Sequence, residues 1–334
     1  MTTVTITTAL CVALGCAVCS SARAEPTRAL YIDEDLFSGM ATDADYTGGV
    51  AVVFANDLIA ESDNTRRWLT RLNRLVGMQS SSYRYEFEVG AAAFTPADTA
   101  SSAVVAGDRP YAGLVYGSAA VIQSQDDRHS AVTVLTVGAL GLGIVPTAQR
   151  RIHRAMGSAQ PNGWQHQISA GGEPTLRFAH EQTWARPAVD LAGGRAQWLW
   201  RAGAGLGFIT DVSVGTAVRF GRFSDSRWSI HTSPTGLSDR ALSGHADPHD
   251  RFLYATLSAR LPLHSVFLQG QFRDSDVTVP SSERRYLIPD ASLGYVAGLR
   301  NGRALHYFLR AQRSDVRLTK RSESIVYAGL SLSW

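Results

Sequence analysis

The sequence predicts an all-β fold, a transmembrane antiparallel barrel of about 12 strands with one short helical crossover near residues 147–157. Three observations lead there. Segments about ten residues long alternate apolar and polar side chains, the length a tilted strand needs to cross a bilayer. Beyond the N-terminal leader no run approaches the roughly 18 uninterrupted apolar residues of a spanning helix. The chain also ends on an alternating strand, Val326, Ala328, Leu330, Leu332 and Trp334 against Tyr327, Gly329, Ser331 and Ser333.

Taken in order, residues 1–24 read as a secretory signal peptide, with an apolar core from Val4 to Val18 and the small-residue pattern Ala22-Arg23-Ala24 before Glu25. A lipoprotein cleavage site at Cys16 is the weaker alternative, because Ala13 stands where a large aliphatic belongs. Cys11, Cys16 and Cys19 all fall inside this leader, so the expected barrel domain, 25–334, has no disulfide, thiolate zinc site or cysteine nucleophile. Charge is nearly balanced at 32 basic and 29 acidic residues, and Lys320 is the one lysine. Arginine's planar fork suits phosphate, so an anionic lipid is a compatible partner, whereas no basic tract or recognition motif points to nucleic acid. Such an exported chain fits the outer membrane of a Gram-negative bacterium. Its terminal aromatic resembles the signal read by the outer-membrane assembly machinery.

The clearest strand places Tyr83, Tyr85, Phe87 and Val89 on one face and Arg84, Glu86 and Glu88 on the other. The pattern returns at 253–261 and 305–312, and more weakly in the Gly/Ala-rich runs 129–144 and 202–221, whose small residues leave room inside a barrel. Turn signals lie at 125–128, Gly193-Gly194, Thr210-Asp211 and 300–303. Three stretches break the pattern: an amphipathic segment at 61–78 around Trp68, a Ser/Asp/His/Pro-rich loop at 224–250, and a polar loop at 274–286.

The chain is organised around 137–167, where a strand passes through Ile144-Val145-Pro146 into a short basic helix carrying His153 and returns at Gly163-Trp164 into another strand. The segment 149–154 is too basic for a core helix, and an imidazole held on such a crossover can act as a general base; the plain alternative is a surface histidine among arginines. In Asp33-Glu34-Asp35 the strand alternation puts Asp33 and Asp35 on one side and Glu34 on the other. With carbonyls of a nearby turn at 46–48, two such acids make a hard oxygen site suited to calcium; otherwise they are a solvated strand end. Asp108-Arg109-Pro110 reads as a strand-entry turn with a local ion pair.

In order, the acidic strand end, Asp45-Tyr46-Thr47-Gly48-Gly49, GDRPYAG at 107–113, LGIVPTAQRRIH at 142–153 and GWQHQ at 163–167 resemble the outer-membrane lipid A 3′-O-deacylase family. The resemblance implies a twelve-stranded barrel and a calcium-dependent esterase acting on lipid A of lipopolysaccharide. Carried over position by position, it makes His153 the water-activating base, sets Asp35 and Thr47 beside calcium, and gives Glu34 and Asp35 catalytic positions. Arg109, Arg150 and Trp164 become candidate substrate contacts. This chain departs from the family twice: Glu34 replaces the usual asparagine, and an ionised carboxylate cannot donate a hydrogen bond to an oxyanion; residues 95–106 also lack a lysine that some members carry.

Two competing readings keep the barrel. An outer-membrane phospholipase relies on an HxSNG-like motif, which is absent, as is GxSxG. A non-catalytic, porin-like or degenerate barrel is the other.

Overall fold

The computed structural model describes residues 27–38, 45–55, 82–126, 128–223, 228–243, 247–317 and 324–334, together with Arg67 and Arg71. The expected leader, 1–24, and all of the amphipathic segment 61–78 except those two arginines lie outside the described residues.

In chain order the elements are β1 (Thr27–Glu34), β2 (Asp45–Ala55), β3 (Ser82–Thr95), β4 (Ala112–Asp126), β5 (His129–Leu140), α1 (Ile144–Met156), β6 (Glu173–Ala185), β7 (Val189–Leu191), β8 (Gly194–Gly207), β9 (Ile209–Arg222), β10 (Trp228–Thr232), β11 (Asp239–Ser243), β12 (Arg251–Ser265), α2 (Val266–Gln269), β13 (Ile288–Gly298), β14 (Ala304–Arg313) and β15 (Ser324–Ser333). Twelve of the strands form one closed antiparallel wall, in which β6 pairs with β8, β9 with β12, and β1 closes on β15 through Ala29↔Ser333 and Glu34↔Ala328. Closure leaves no bare strand edge facing lipid.

Period-two alternation sorts each strand between lipid and lumen. On β12, Leu253, Leu257, Leu261 and Leu263 are exposed while Phe252, Tyr254, Thr256 and Arg260 are buried. On β3, Tyr83 and Val89 face out and Glu86 and Glu88 face in. Trp184, Trp198, Trp200, Tyr295, Tyr307 and Trp334 are exposed near the rim that holds both chain ends, an interfacial aromatic girdle.

The stretch 224–250, expected as a loop, contains the hairpin β10–β11, which folds into the lumen. Its polar residues are what the wall needs. Arg240 donates to Glu88 (2.8 Å) and lies 3.7 Å from Asp33, Asp239 accepts from Ser292 (2.8 Å), and Thr232 donates to Glu181 (2.6 Å). Carbonyls of the connection accept from Arg177 (at Pro234), Arg310 and Tyr327 (both at Leu237). The room left by small residues is therefore filled with a polar plug.

Other boundaries shift for local reasons. The turn expected at Thr210-Asp211 falls at Phe208, because Asp211 is a luminal strand residue bonded to Arg177 (2.8 Å). The helix starts at Ile144 rather than near 147; Pro146 sits in its first turn, where a missing N–H costs nothing. After Trp164 the chain makes a 3₁₀ turn, Trp164–His166, and the next strand begins only at Glu173.

Candidate active site

The acidic strand end splits three ways. Asp33 faces the lumen, where Tyr46 Oη donates to its carboxylate and Arg240 approaches. Glu34 ends β1 on the outer face, opposite Gly48 of β2. Asp35 is only 1% exposed and opens a 3₁₀ turn, Asp35–Ser38, which Ser38 Oγ closes by donating to the Asp35 carbonyl (2.6 Å). Asp33 and Asp35 thus do not share a strand face, because the strand ends between them.

Residues 46–48 form a β-bulge rather than the expected turn. The β2–β3 register steps from Tyr46↔Phe94 to Gly48↔Ala93, leaving Thr47 as the extra residue. Thr47 is buried, its hydroxyl paired with that of Thr95 (2.7 Å). Glycine is required at 48, since a Cβ there would come 2.6 Å from the Asp33 carbonyl oxygen.

The helix α1 lies on the outside of the same wall. Val145 rests on Gly113 of β4, where a Cβ would meet it at 3.1 Å, and it packs with Tyr111 and Trp164 against Ala93 and Val115. Gln149 is one turn on and His153 two, both buried on this inner side. Trp164 Nε1 donates to Gln149 Oε1 (2.7 Å), and its ring lies 4.9 Å from that of Tyr111. His153 is 5% exposed, with Nδ1 2.5 Å from the carbonyl oxygen of Ala159. A carbonyl only accepts, so Nδ1 carries the proton and Nε2 of the neutral ring carries the lone pair. Gly157, in the left-handed conformation, ends the helix.

Register sets Glu34, Gly48 and the seat of α1 in one row across the wall. Ala328, Glu34, Gly48, Ala93 and Gly113 stand in a row across β15, β1, β2, β3 and β4. On the outer face this is a shelf of small side chains with Glu34 toward one end and α1 seated on the other. Thr47 and Asp35 each follow or precede a member of that row by one residue.

A sequence profile described as Outer membrane protein LpxR matches residues 5–334. The chain belongs to that family. The solved LpxR from Salmonella typhimurium shares its fold, with a TM-score of 0.72 at 16% identity over 92% of this chain and 99% of that one. The β domain of the Bordetella autotransporter BrkA (TM-score 0.41, 9% identity, 92% of this chain and 98% of that one) and the KdgM porin (0.38, 4%, 93% and 98%) are looser matches. Among curated proteins no sequence matches. As an LpxR-family barrel, the protein resides in the outer membrane.

Within this LpxR-family fold the expected site residues take different places. Glu34, Asp35, Thr47 and His153 come from β1, the turn after it, β2 and α1. Arg150 is half-buried on α1, and Trp164 is buried as the brace of Gln149 rather than laid open to solvent. Arg109 is buried too, donating to Asp45 (2.6 Å) with Asp315 at 3.6 Å and the Phe94 ring 4.6 Å below. Burial alone would lower its pKa, but Asp315 and Asp45 outweigh this and hold it above the ordinary arginine value. It locks the rim, where sequence had suggested a substrate contact. Gln149 was not singled out from sequence, although its spacing of four from His153 carries the signal.

No three His, Cys, Asp or Glu side chains gather as a metal cluster among the described residues. A calcium ion here would draw on Asp35 and Glu34, the Thr47 hydroxyl and main-chain carbonyls. That all-oxygen set fits a hard cation.

Proposed function

We propose that this protein is a calcium-dependent esterase that removes the 3′ ester-linked acyl chains of lipid A, with water activated by His153. The supporting observation is the seat of His153, buried beside the outer wall with Nδ1 donating to the Ala159 carbonyl, the tautomer that puts the lone pair on Nε2. The other face of α1 exposes Ile144, Ile152 and Met156, with Arg151 and Arg154 also exposed. This pairs a surface for acyl chains with charges for headgroup phosphates.

In this reading His153 Nε2 takes a proton from water, the hydroxide attacks the ester carbonyl, and the imidazolium returns the proton to the leaving sugar oxygen. Gln149 supplies the donor that Glu34 cannot. Its oxygen is committed to Trp164, while its Nε2 is buried with no partner among the described residues, a preset amide hydrogen bond for the oxyanion. Glu34 serves with Asp35 in holding calcium, which when bound polarises the ester carbonyl.

The test is the lipid A mass spectrum of a suitable Gram-negative host expressing the chain. Loss of the 3′ acyl mass with the native protein, and its retention with His153→Ala, is expected. An unchanged spectrum with a correctly assembled native barrel overturns the proposal.

A further inference from the structure

Beside the plug the lumen keeps a cavity, bounded by the connection after β10, Ser233 to Gly236, and by the inner faces of β6, β8, β9, β12, β13 and β14. Gly203 of β8 stands opposite Ser213 of β9, and these small residues leave the wall too thin to close the gap. Arg260 of β12 comes next in the same row, opposite Ser213. It is 7% exposed and lines the cavity, yet it makes no hydrogen bond or ion pair among the described residues. A charge removed from water without a partner is strongly unfavourable, so buried charges are ordinarily paired. Arg260 departs from that rule.

The acids around it are engaged elsewhere. Asp211 and Asp290 each lie one strand over and two residues along from Arg260. Asp211 accepts from Arg177 (2.8 Å), and Asp290 accepts from Ser258 (2.7 Å) with Arg310 at 3.0 Å. Asp239 of the plug is shared by Arg310 (3.7 Å), Arg201 and the Ser292 hydroxyl. Glu181 stands three strand spacings round the wall from Arg260, about 14 Å, and takes the Thr232 hydroxyl (2.6 Å). Hydrogen-bond donors are in surplus as well. Arg201 Nη1 and Arg310 Nε are buried without a partner, and the Ser213 hydroxyl has none among the described residues, against one orphan acceptor, Glu181 Oε1. The lining holds four arginines and three carboxylates, and Arg260 is the guanidinium left over.

We propose that this cavity is a binding site for a small inorganic oxyanion of the phosphate or sulfate type, held by Arg260 with Ser213 and Arg201. The planar guanidinium fork matches two oxygens of such an ion, and the remaining oxygens accept from the Ser213 hydroxyl and from Arg201. Water fills such a space but leaves the charge unbalanced. A lipid headgroup is kept out because the cavity lies inside the closed wall, whereas His153 lies outside it. The ion joins β8, β9 and β12 beside the plug, so it acts on stability and not on the reaction proposed at α1.

The test follows heat unfolding of the full-length barrel in detergent by its heat-modified gel shift, first in chloride alone and then with sodium sulfate or phosphate added at constant ionic strength. Both ions stabilise proteins in general through exclusion from their surface, and Arg260→Met is the control for that effect. In the native protein the unfolding midpoint is expected to rise by roughly 5 °C and level off at low millimolar anion, whereas Arg260→Met shows only the shallow general trend. In chloride alone the variant is expected to unfold no lower than the native protein, since it loses a charge that has no partner. Parallel curves for the two proteins, or a variant midpoint below the native one in chloride alone, overturn the proposal. If the variant does not assemble, crystals of the native barrel soaked in selenate decide. An anomalous peak within hydrogen-bond distance of Arg260 is expected, and a map without one overturns the site.

Discussion

Val145 rests on Gly113 so closely that a methyl group there would stand 3.1 Å from its side chain, and this contact sets the height of α1 on the wall. Gly113→Val is expected to lift the helix at a cost of about 1–3 kcal/mol. The barrel itself should still form, since β4 keeps its ladders with β3 and β5. The check is a fall in ester hydrolysis by about tenfold or more in a variant that still shows the heat-modified gel shift; full activity would mean the helix height is irrelevant.

Trp164→Phe removes the donor to Gln149 Oε1 while keeping most of the aromatic contact with Tyr111. Freed to rotate, the amide no longer presents Nε2 in one orientation. The expected result is a lower kcat at nearly constant KM, since Trp164 is buried and the bond acts through Gln149. A change in KM alone would assign Trp164 to substrate binding instead.

Chelation supplies a third expectation. Hydrolysis stops in excess EGTA and resumes on adding calcium. In Glu34→Gln the calcium concentration for half-maximal rate rises about tenfold, because a neutral amide is a weaker ligand than a carboxylate. Calcium titrations of activity in detergent micelles measure both, and a metal-independent native rate would refute the cofactor.

The polar plug predicts an electrical property. Replacing 228–243 with a short Gly/Ser linker should open the lumen, turning a non-conducting barrel into one with ion conductance in planar bilayers. Arg240→Ala, which leaves Glu88 and Asp33 buried without their guanidinium, still bonded by the hydroxyls of Tyr116 and Tyr46, should destabilise by about 3–5 kcal/mol. Conductance by the native protein equal to that of the deletion would show that the hairpin does not seal it.

Sequence showed the wall and the helix, and for a physical reason: lipid on one side and a packed lumen on the other impose a period of two that local composition cannot hide. It did not show the plug. His231, Asp239 and Arg240 look like loop residues because their partners are carboxylates, hydroxyls and guanidinium groups on distant strands, and in strands of five residues the apolar positions Ile230 and Ala241 are too few to mark β10 or β11. Thr47 was misplaced into a turn because Gly48-Gly49 has turn composition, whereas Gly48 is required by the closeness of the Asp33 carbonyl. Arg109 was read as a substrate contact because nothing nearby in sequence announces Asp45 or Asp315 as its partners.

The hairpin also bears on how such a cylinder is made. Its backbone carbonyls accept from Tyr31 on the first strand (at Ala241) and Tyr327 on the last (at Leu237), the two strands whose pairing shuts the seam. Ends that far apart in the chain meet only after everything between has been synthesised. Folded inward, this segment offers both of them hydrogen bonds from within, so the seam is held from inside the cylinder as well as along its own ladder.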